Sequence, residues 1–298
     1  MNKMPKVTVL IPAYNAAHFL PTSIESALGQ TYQDFEILVI DDGSTDNTRE
    51  VVAVYVDKHP GKVRYIFQEN KGLAEARNTG IAQSQGEYLA LLDADDQWLP
   101  CRLQEGVMVL DADPSIGLVH GNITNIGIDG KEINTTKRNP VFLSGWIFEN
   151  IFTRKADISC PTVLFRKSCC QDVGGFDAKL AKLGCEDRDL WLRISQKYKI
   201  VYIDKVLSNY RITPQSMSRN LKKMMEARFY VIDKYCPQDD LSKRRLRDRA
   251  LAKIFRDIGD EFLLKKDFVS ARQEYSKAIR HNPLAFWSWV NWVKTYVF

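Results

Sequence analysis

Short apolar runs that stop abruptly at polar or acidic clusters, with helix-period segments between them, constrain this chain more than any other feature. Val7-Thr8-Val9-Leu10-Ile11 is nearly continuous in apolar side chains and stops at Pro12. Phe35-Glu36-Ile37-Leu38-Val39-Ile40 stops at Asp41-Asp42-Gly43-Ser44. Val63-Arg64-Tyr65-Ile66-Phe67 is a third run, and Glu87-Tyr88-Leu89-Ala90-Leu91-Leu92 stops at Asp93-Ala94-Asp95-Asp96. Runs this short that barely alternate suit strands covered on both faces. Helical periodicity fills residues 17–30 and 73–84, and another helix starts near Asp46 or Asn47, where Asn47 and Glu50 stand at capping-box spacing. Pro100 suits the first turn of a further helix, and Leu118-Val119-His120 begins a further strand. Strands alternating with helices predict an α/β fold, a mostly parallel sheet with helices on both faces. Sites in such sheets form beyond the carboxyl ends of the strands, which is where the acidic clusters fall.

The strand–helix alternation fades after residue 120, and from residue 219 onward the pattern is almost wholly helical. The expected organisation is therefore an α/β domain over residues 1–218 and a basic helical region over 219–298. Ala271, Tyr275, Ala278 and Pro283 echo one helix of a tetratricopeptide unit. A single unit cannot bury its own core, so this reads as a helical appendage.

Composition excludes several classes. The 298 residues are 45% hydrophobic and 27% charged, with no low-complexity tract. No apolar run approaches the roughly 18–20 residues that span a bilayer. The N-terminal apolar run is too short for a signal-peptide core, so a cytoplasmic chain is expected. Cys101, Cys160, Cys169, Cys170, Cys185 and Cys236 follow no disulfide-framework spacing and form no C-x-x-C, so reduced thiols are expected and zinc is not. The net charge of +5 belongs to the tail, where residues 219–298 hold 18 Lys+Arg against 10 Asp+Glu. That excess suits an anionic membrane surface at the inner face of a membrane, or a solvated helix surface. A nucleic-acid partner is not expected.

The chain has no G-x-G-x-x-G after its first strand and no Walker-type loop, no G-x-S-x-G and no H-E-x-x-H. Four scattered histidines do not make a triad, so acidic residues must carry the chemistry. D-x-D occurs three times, at Asp93/Asp95, Asp111/Asp113 and Asp187/Asp189. Asp111-Ala112-Asp113-Pro114 reads as a helix end and turn. Asp93 and Asp95 end a hydrophobic strand with no helix to cap, which suits an oxygen-seeking Mg²⁺ or Mn²⁺ shared with substrate phosphates. Asp41 closes its strand and can face a ligand, whereas Asp46 reads as a cap. Glu186 and Asp187 open a helix, where they complement its dipole or supply a general base.

Six ordered blocks resemble glycosyltransferase family 2. They are residues 9–15 (Val-Leu-Ile-Pro-Ala-Tyr-Asn), 41–48 (Asp-Asp-Gly-Ser-Thr-Asp-Asn-Thr), 72–80 (Gly-Leu-Ala-Glu-Ala-Arg-Asn-Thr-Gly), 86–96, Gly174-Gly175-Phe176-Asp177 and 184–193. The resemblance covers roughly residues 5–215. It implies a GT-A fold and an inverting enzyme that takes a nucleotide sugar, UDP-sugars favoured, and glycosylates a saccharide or lipid-linked saccharide. It implies that Pro12, Ala13 and Tyr14 line the base pocket, that Asp41 meets the base and that Arg77 meets base or phosphate. Asp93 would hold the ribose or a metal-bound water, with Ala94 beside it, and Asp95 would ligate Mn²⁺ or Mg²⁺. Asp96 would face the donor sugar or acceptor. Asp187 would be the general base, with Glu186 the second candidate. Arg211 and residues 213–218 would belong to a loop over the diphosphate. A GT-A-like nucleotidylyltransferase would carry a glycine-rich basic loop after the first strand, and Pro12-Ala13-Tyr14-Asn15-Ala16-Ala17 has neither glycine nor base. A scaffold with a degenerate site is the other alternative, but the acidic positions are all filled.

Near the end of the chain, Phe286, Trp289, Val293 and Tyr296 form one helical stripe. It is expected to pack onto the preceding helices or onto a second copy in a homodimer, or to contact a membrane surface.

Overall fold

The computed structural model describes residues 4–133, 143–213 and 220–297. The chain divides into two compact units, Met1–Phe148 with Asp157–Asn220, and Glu149–Ala156 with Leu221–Phe298. The second unit therefore includes a segment from the middle of the chain, which a single expected boundary at residue 218 does not contain. The expected loop over residues 214–218 lies outside the described residues. Among those residues no helix is long and apolar enough to cross a membrane.

The first unit runs β1 (Val7–Ala13), α1 (Leu20–Leu28), β2 (Phe35–Asp42), α2 (Thr48–Lys58), β3 (Val63–Gln68), α3 (Leu73–Gln83), β4 (Tyr88–Leu91), β5 (Gln97–Trp98), α4 (Arg102–Ala112) and β6 (Ile116–Ile126). Beyond α5 (Phe148–Phe152) come β7 (Leu164–Arg166), α6 (Lys167–Asp172), α7 (Glu186–Lys197) and β8 (Lys199–Arg211). The eight strands make one sheet in the order β3-β2-β1-β4-β7-β6-β8-β5. The pairs β1–β2, β1–β4, β2–β3 and β6–β8 are parallel. The pairs β4–β7, β6–β7 and β5–β8 are antiparallel. The mostly parallel sheet is as expected, and the antiparallel β7 in its middle is an addition.

Every residue of β1, β2 and β4 is buried, as unalternating apolar runs require. Two polar side chains break these runs and satisfy each other. Thr8 Oγ1 donates to Glu36 Oε1 at 2.7 Å, and Glu36 Oε2 accepts from Arg64 at 2.7 Å. The Gln85 and Gly86 amides close the network on Glu36 and Thr8. This ties the entry to β4 to β1, β2 and β3 at the sheet edge opposite the acidic clusters.

The helices follow the predicted periodicity with altered starts. Leu20, Ser23, Ile24 and Ala27 form the buried face of α1. The Asn47–Glu50 capping box does not form. Asn47 makes no side-chain cap bond, and Asp46 Oδ1 accepts the Thr48 amide at 3.0 Å instead. Pro100 precedes α4, which begins at Arg102. Gly72 enters α3 at φ 93°, a left-handed conformation that glycine adopts without strain.

The second unit adds α8 (Leu221–Tyr235), α9 (Arg244–Leu264), α10 (Phe268–His281) and α11 (Phe286–Val297). Ala271, Tyr275 and Ala278 are fully buried on α10, as a repeat-like helix pair requires. Gly259 of α9 makes room for the Tyr275 ring, since a Cβ there would lie 2.6 Å from a ring carbon. The Tyr275 hydroxyl donates to Asp260 at 2.9 Å. Arg154 pairs with Asp257 of α9 at 3.4 Å, which binds residues 149–156 into this unit. The aromatic stripe of α11 is not buried against the preceding helices: Ser288, half-buried Trp292 and Thr295 lie on the inward face, and Phe286, Trp289, Val293 and Tyr296 are exposed, with Arg272 of α10 over the Tyr296 ring.

At Gly72 a Cβ would stand 2.6 Å from the Ala181 carbonyl oxygen, whereas Gly61, at φ 77°, has open space around it. Gly61→Ala is expected to cost only the left-handed strain, about 1–2 kcal/mol. Gly72→Ala adds a backbone clash worth about 1–3 kcal/mol more. Urea unfolding should show the larger midpoint drop for Gly72→Ala, and equal midpoints would refute the clash.

Candidate active site

The parallel register brings the three polar clusters to one edge of the sheet. Ala13 lies beside Asp41, and Leu10 beside Leu91, so Asp93 leaves β4 at the level where β1 and β2 end. Two loops are then fastened together. The Asn15 amide donates to Ser44 Oγ at 2.9 Å, and the Thr45 amide donates back to Asn15 Oδ1 at 2.8 Å. Asn15 holds a left-handed φ of 50°, which asparagine tolerates because its short side chain bonds locally. The Ala16 and Ala17 amides donate to Thr48 and Asp46. Asp46 thus caps α2 and clamps the first loop.

This clamp leaves Tyr14 55% exposed directly after buried Pro12 and Ala13. Asp41 is buried below, with Oδ1 accepting the Ser44 amide at 2.8 Å and Oδ2 accepting the Tyr65 hydroxyl at 2.7 Å. A carboxylate carries about four lone-pair sites, so these two bonds leave acceptor capacity. Asp42 is structural: its carboxylate takes Gln68, the Lys71 amide and the Gly72 amide, setting the turn into α3.

The centre is Arg77 on α3, a fully buried guanidinium. One nitrogen donates to Glu186 Oε1 at 2.6 Å and another to Asp93 Oδ1 at 2.6 Å and Cys160 Sγ at 3.3 Å. Burial works against the Arg77 charge, but Cys160, Asp93, Glu186 and Asp187 together outweigh it and hold the guanidinium well above its ordinary range. Burial pushes the Glu186 carboxyl up to about 7 despite Arg77. The expected contact of Arg77 with base or phosphate is therefore replaced by a brace between two carboxylates. Its neighbour Asn78 makes paired bonds with the Phe176 backbone, at 2.9 and 2.8 Å. The adjacent Gly175, at φ 70°, admits this approach, since a Cβ there would lie 2.9 Å from Asn78 Oδ1.

The acidic turn is pinned from α1. Ser23 Oγ donates toward the Ala94 and Asp96 carbonyls at 2.8 and 2.6 Å, and the Asp96 amide closes the turn on the Asp93 carbonyl. Asp93, Ala94 and Asp95 stay half-buried. Burial and the neighbouring Asp93 push the Asp95 carboxyl up to about 6. Asp96 is completely buried. Its Oδ1 accepts the Arg211 amide at 2.8 Å and its Oδ2 has no hydrogen-bond partner. Asp96 was expected to face donor or acceptor, and burial instead turns it into a support that holds the end of β8. Arg211 itself is 4% exposed. Its guanidinium donates to the Asp95, Gly127 and Ile128 carbonyls and lies 4.7 Å over the Phe19 ring. Those bonds use Arg211 in bracing, not in a contact with diphosphate.

Gly184 and Cys185 turn sharply into α7, at φ 93° and 63°. Glu186 then meets Arg77, while Asp187 is half-buried and accepts the Arg188 amide at 2.6 Å. Burial raises the Asp187 carboxyl. Asp189 is buried against Arg193 at 2.8 Å and is structural, as are Asp111 and Asp113 at the end of α4. Ser23, Tyr65, Asn78 and Cys160 escaped the sequence reading. Only Ser23 left a signal, a hydroxyl within the apolar stripe of α1. Among the described residues no three His, Cys, Asp or Glu side chains converge as a metal-binding group, and all six cysteines are free.

Known proteins similar to this chain include the following three. A UDP-Glc:alpha-D-GlcNAc-diphosphoundecaprenol beta-1,3-glucosyltransferase of Escherichia coli is 31% identical over 232 residues, 76% of this chain and 85% of that one. The structure of Staphylococcus aureus TarS residues 1–349 with UDP-GlcNAc superposes with a TM-score of 0.65 at 17% identity, over 98% of this chain and 89% of that one. The mannosyltransferase PcManGT of Pyrobaculum calidifontis, in complex with GDP-Man and Mn²⁺, superposes at 0.62 and 19% identity, over 99% and 87%. At such identities the two structures speak to the fold. The chain spans about a third of the length of other curated relatives that it matches, 36% and 33% for two of them. The family model of glycosyl transferase family 2 matches residues 8–174. The chain belongs to glycosyltransferase family 2.

Proposed function

We propose that the chain transfers a sugar, with inversion, from a nucleotide sugar to a hydroxyl of a saccharide or lipid-linked saccharide. The observation that carries this reading is the Asp93–Arg77–Glu186 brace, which joins the donor edge of the sheet to the start of α7. UDP-sugars are favoured as donors and a lipid-linked saccharide as acceptor. The E. coli relative is named for UDP-Glc and a diphosphoundecaprenol acceptor, and it is matched over most of its length.

In this reading Pro12, Ala13 and Tyr14 face the base, and Asp41 receives its N–H from beneath. Asp93 and Ala94 lie along the ribose and diphosphate. Arg77, Asp96 and Arg211 are positioning residues that act through these groups. Asp95, with Asp93, would hold a divalent Mn²⁺ or Mg²⁺. The donor set fits a hard cation, because Asp95 is pushed up by burial and by a second carboxylate, a strain that a cation relieves. When bound, the metal would neutralise charge developing on the leaving diphosphate. Asp187 takes the acceptor hydroxyl proton as that oxygen attacks the anomeric carbon from the side opposite the diphosphate. Glu186 is less suited to the role, since Arg77 already occupies Oε1. A carboxylate raised by burial is the better base near neutral pH.

Donor hydrolysis against a nucleotide-sugar panel tests the class. Hydrolysis should depend on Mn²⁺ or Mg²⁺ and fall about 10²–10⁴-fold in Asp187→Asn, with donor affinity within about twofold of the parent. Asp95→Asn should lose metal-dependent binding. A folded chain that binds no nucleotide sugar would remove the transferase reading. The brace is tested separately by unfolding. Arg77→Met leaves buried Glu186 and half-buried Asp93 unpaired and should cost about 3–5 kcal/mol. Arg77→Lys should recover part of that, since an ammonium lacks the planar fork. A cost under about 1 kcal/mol for Arg77→Met would mean that the pairing is not what holds the two segments.

A further inference from the structure

Apolar side chains of α11 face outward. Its inward face holds Ser288 and Thr295, at 1% and 3% exposure, with half-buried Trp292 between them, while Phe286, Trp289, Val293 and Tyr296 are 66%, 45%, 51% and 58% exposed. These four recur at helical spacing, so they form one continuous aromatic and aliphatic stripe. The stripe is provisioned for an apolar medium. The Trp289 indole N–H donates to the Pro283 carbonyl at 2.9 Å, and the Trp292 N–H donates to Ser276 at 3.0 Å. Neither ring would carry an unsatisfied donor out of water.

The charge carried by α10 and α11 is predominantly positive, and Asp260 of α9 meets α11 through Asn291. Residues 282–297 contain no Asp or Glu. Lys294 is exposed on α11, and the Arg272 guanidinium lies 3.5 Å over the Tyr296 ring at one end of the stripe. Over residues 268–297 Glu274 is the lone acid, against Arg272, Lys277, Arg280 and Lys294, and Lys277 holds it at 2.5 Å. Exposed Trp, Tyr and Phe bordered by cations, on a helix too short to span, suit a helix that lies in the plane of a lipid surface.

We propose that α11 docks the chain on an anionic lipid surface through the Phe286–Trp289–Val293–Tyr296 stripe, with Lys294 and Arg272 at the headgroups. The proposal rests on the transferase reading only for its purpose, which is to meet a lipid-linked acceptor where that acceptor resides.

Flotation of the full chain tests it, with phosphatidylcholine vesicles carrying about a third phosphatidylglycerol against phosphatidylcholine alone. The chain should float with the anionic vesicles at least about tenfold more than with the neutral ones. Replacing all four stripe residues with serine should reduce flotation about tenfold or more, and Lys294→Glu several-fold. All four side chains are exposed, so circular dichroism and donor hydrolysis should match the parent. No flotation by the intact chain, or equal flotation by the serine variant, overturns the proposal. So does a dimer in light scattering that the serine variant converts to monomer without any vesicle binding, since the stripe then joins two copies. Flotation without donor hydrolysis would sink the transferase reading and leave this one standing.

Discussion

The site depends on one buried charge. A guanidinium cannot be deprotonated to escape burial, so Arg77 demands acceptors wherever α3 places it. Asp93 and Glu186 answer from segments 16 and 109 residues away in sequence. Their answer fixes the end of β4 and the start of α7 against the same helix. It also divides labour within each acidic cluster. Asp93 and Glu186 satisfy Arg77. Asp95 and Asp187, two and one residues further on, are left half-buried without that pairing. Adjacent carboxylates thereby acquire different environments, which is how neighbouring acids come to serve different roles.

The rest of the edge is built from backbone amides. Amides of the β1–α1 and β2–α2 loops are satisfied by Asp41, Asp46, Thr48, Ser44 and Asn15, so neither loop could move alone without orphaning donors. Ser23 does the same for the carbonyls of the acidic turn from the opposite side. Tyr14 is the conspicuous exception, an aromatic held out from a rigid surround. Its exposure follows from the clamp: Asn15 turns left-handed to reach Ser44 and Thr45, and the ring ahead of it projects.

Much of this was legible in the sequence because it is local. Unalternating apolar runs gave the parallel strands, and the acidic clusters at their ends gave the edge where Asp41, Asp93 and Asp95 gather. What was not legible depends on partners distant in sequence. Leu164-Phe165-Arg166 is too short to announce a strand, yet its antiparallel insertion between β4 and β6 is what makes the sheet mixed. The family resemblance implied ligand contacts for Arg77 and Arg211. Only the fold shows Arg77 paired with two carboxylates and Arg211 with three backbone carbonyls. Asp46 looked like a cap alone, and the clamp on Ala17 appears only when two loops meet. For α11 the stripe was visible, but periodicity cannot say which face is buried, and the inward one carries Ser288, Trp292 and Thr295.

Asp95 and Asp96 show where stability has been given up. Both are raised, first by burial and then by neighbouring carboxylates. Nothing in the fold alone requires three acids in four residues. A structure optimised for stability would replace Asp96 Oδ2, buried without a partner, by an apolar group of similar shape. The Arg211 amide accounts for Asp96 Oδ1 but not for Oδ2. Under the proposed reading the cost has a use: an edge already rich in buried negative charge prefers a cation-bearing donor over a bare diphosphate, whose phosphates it would repel. The repulsion between Asp93 and Asp95 that destabilises the edge is then the same term that makes it selective.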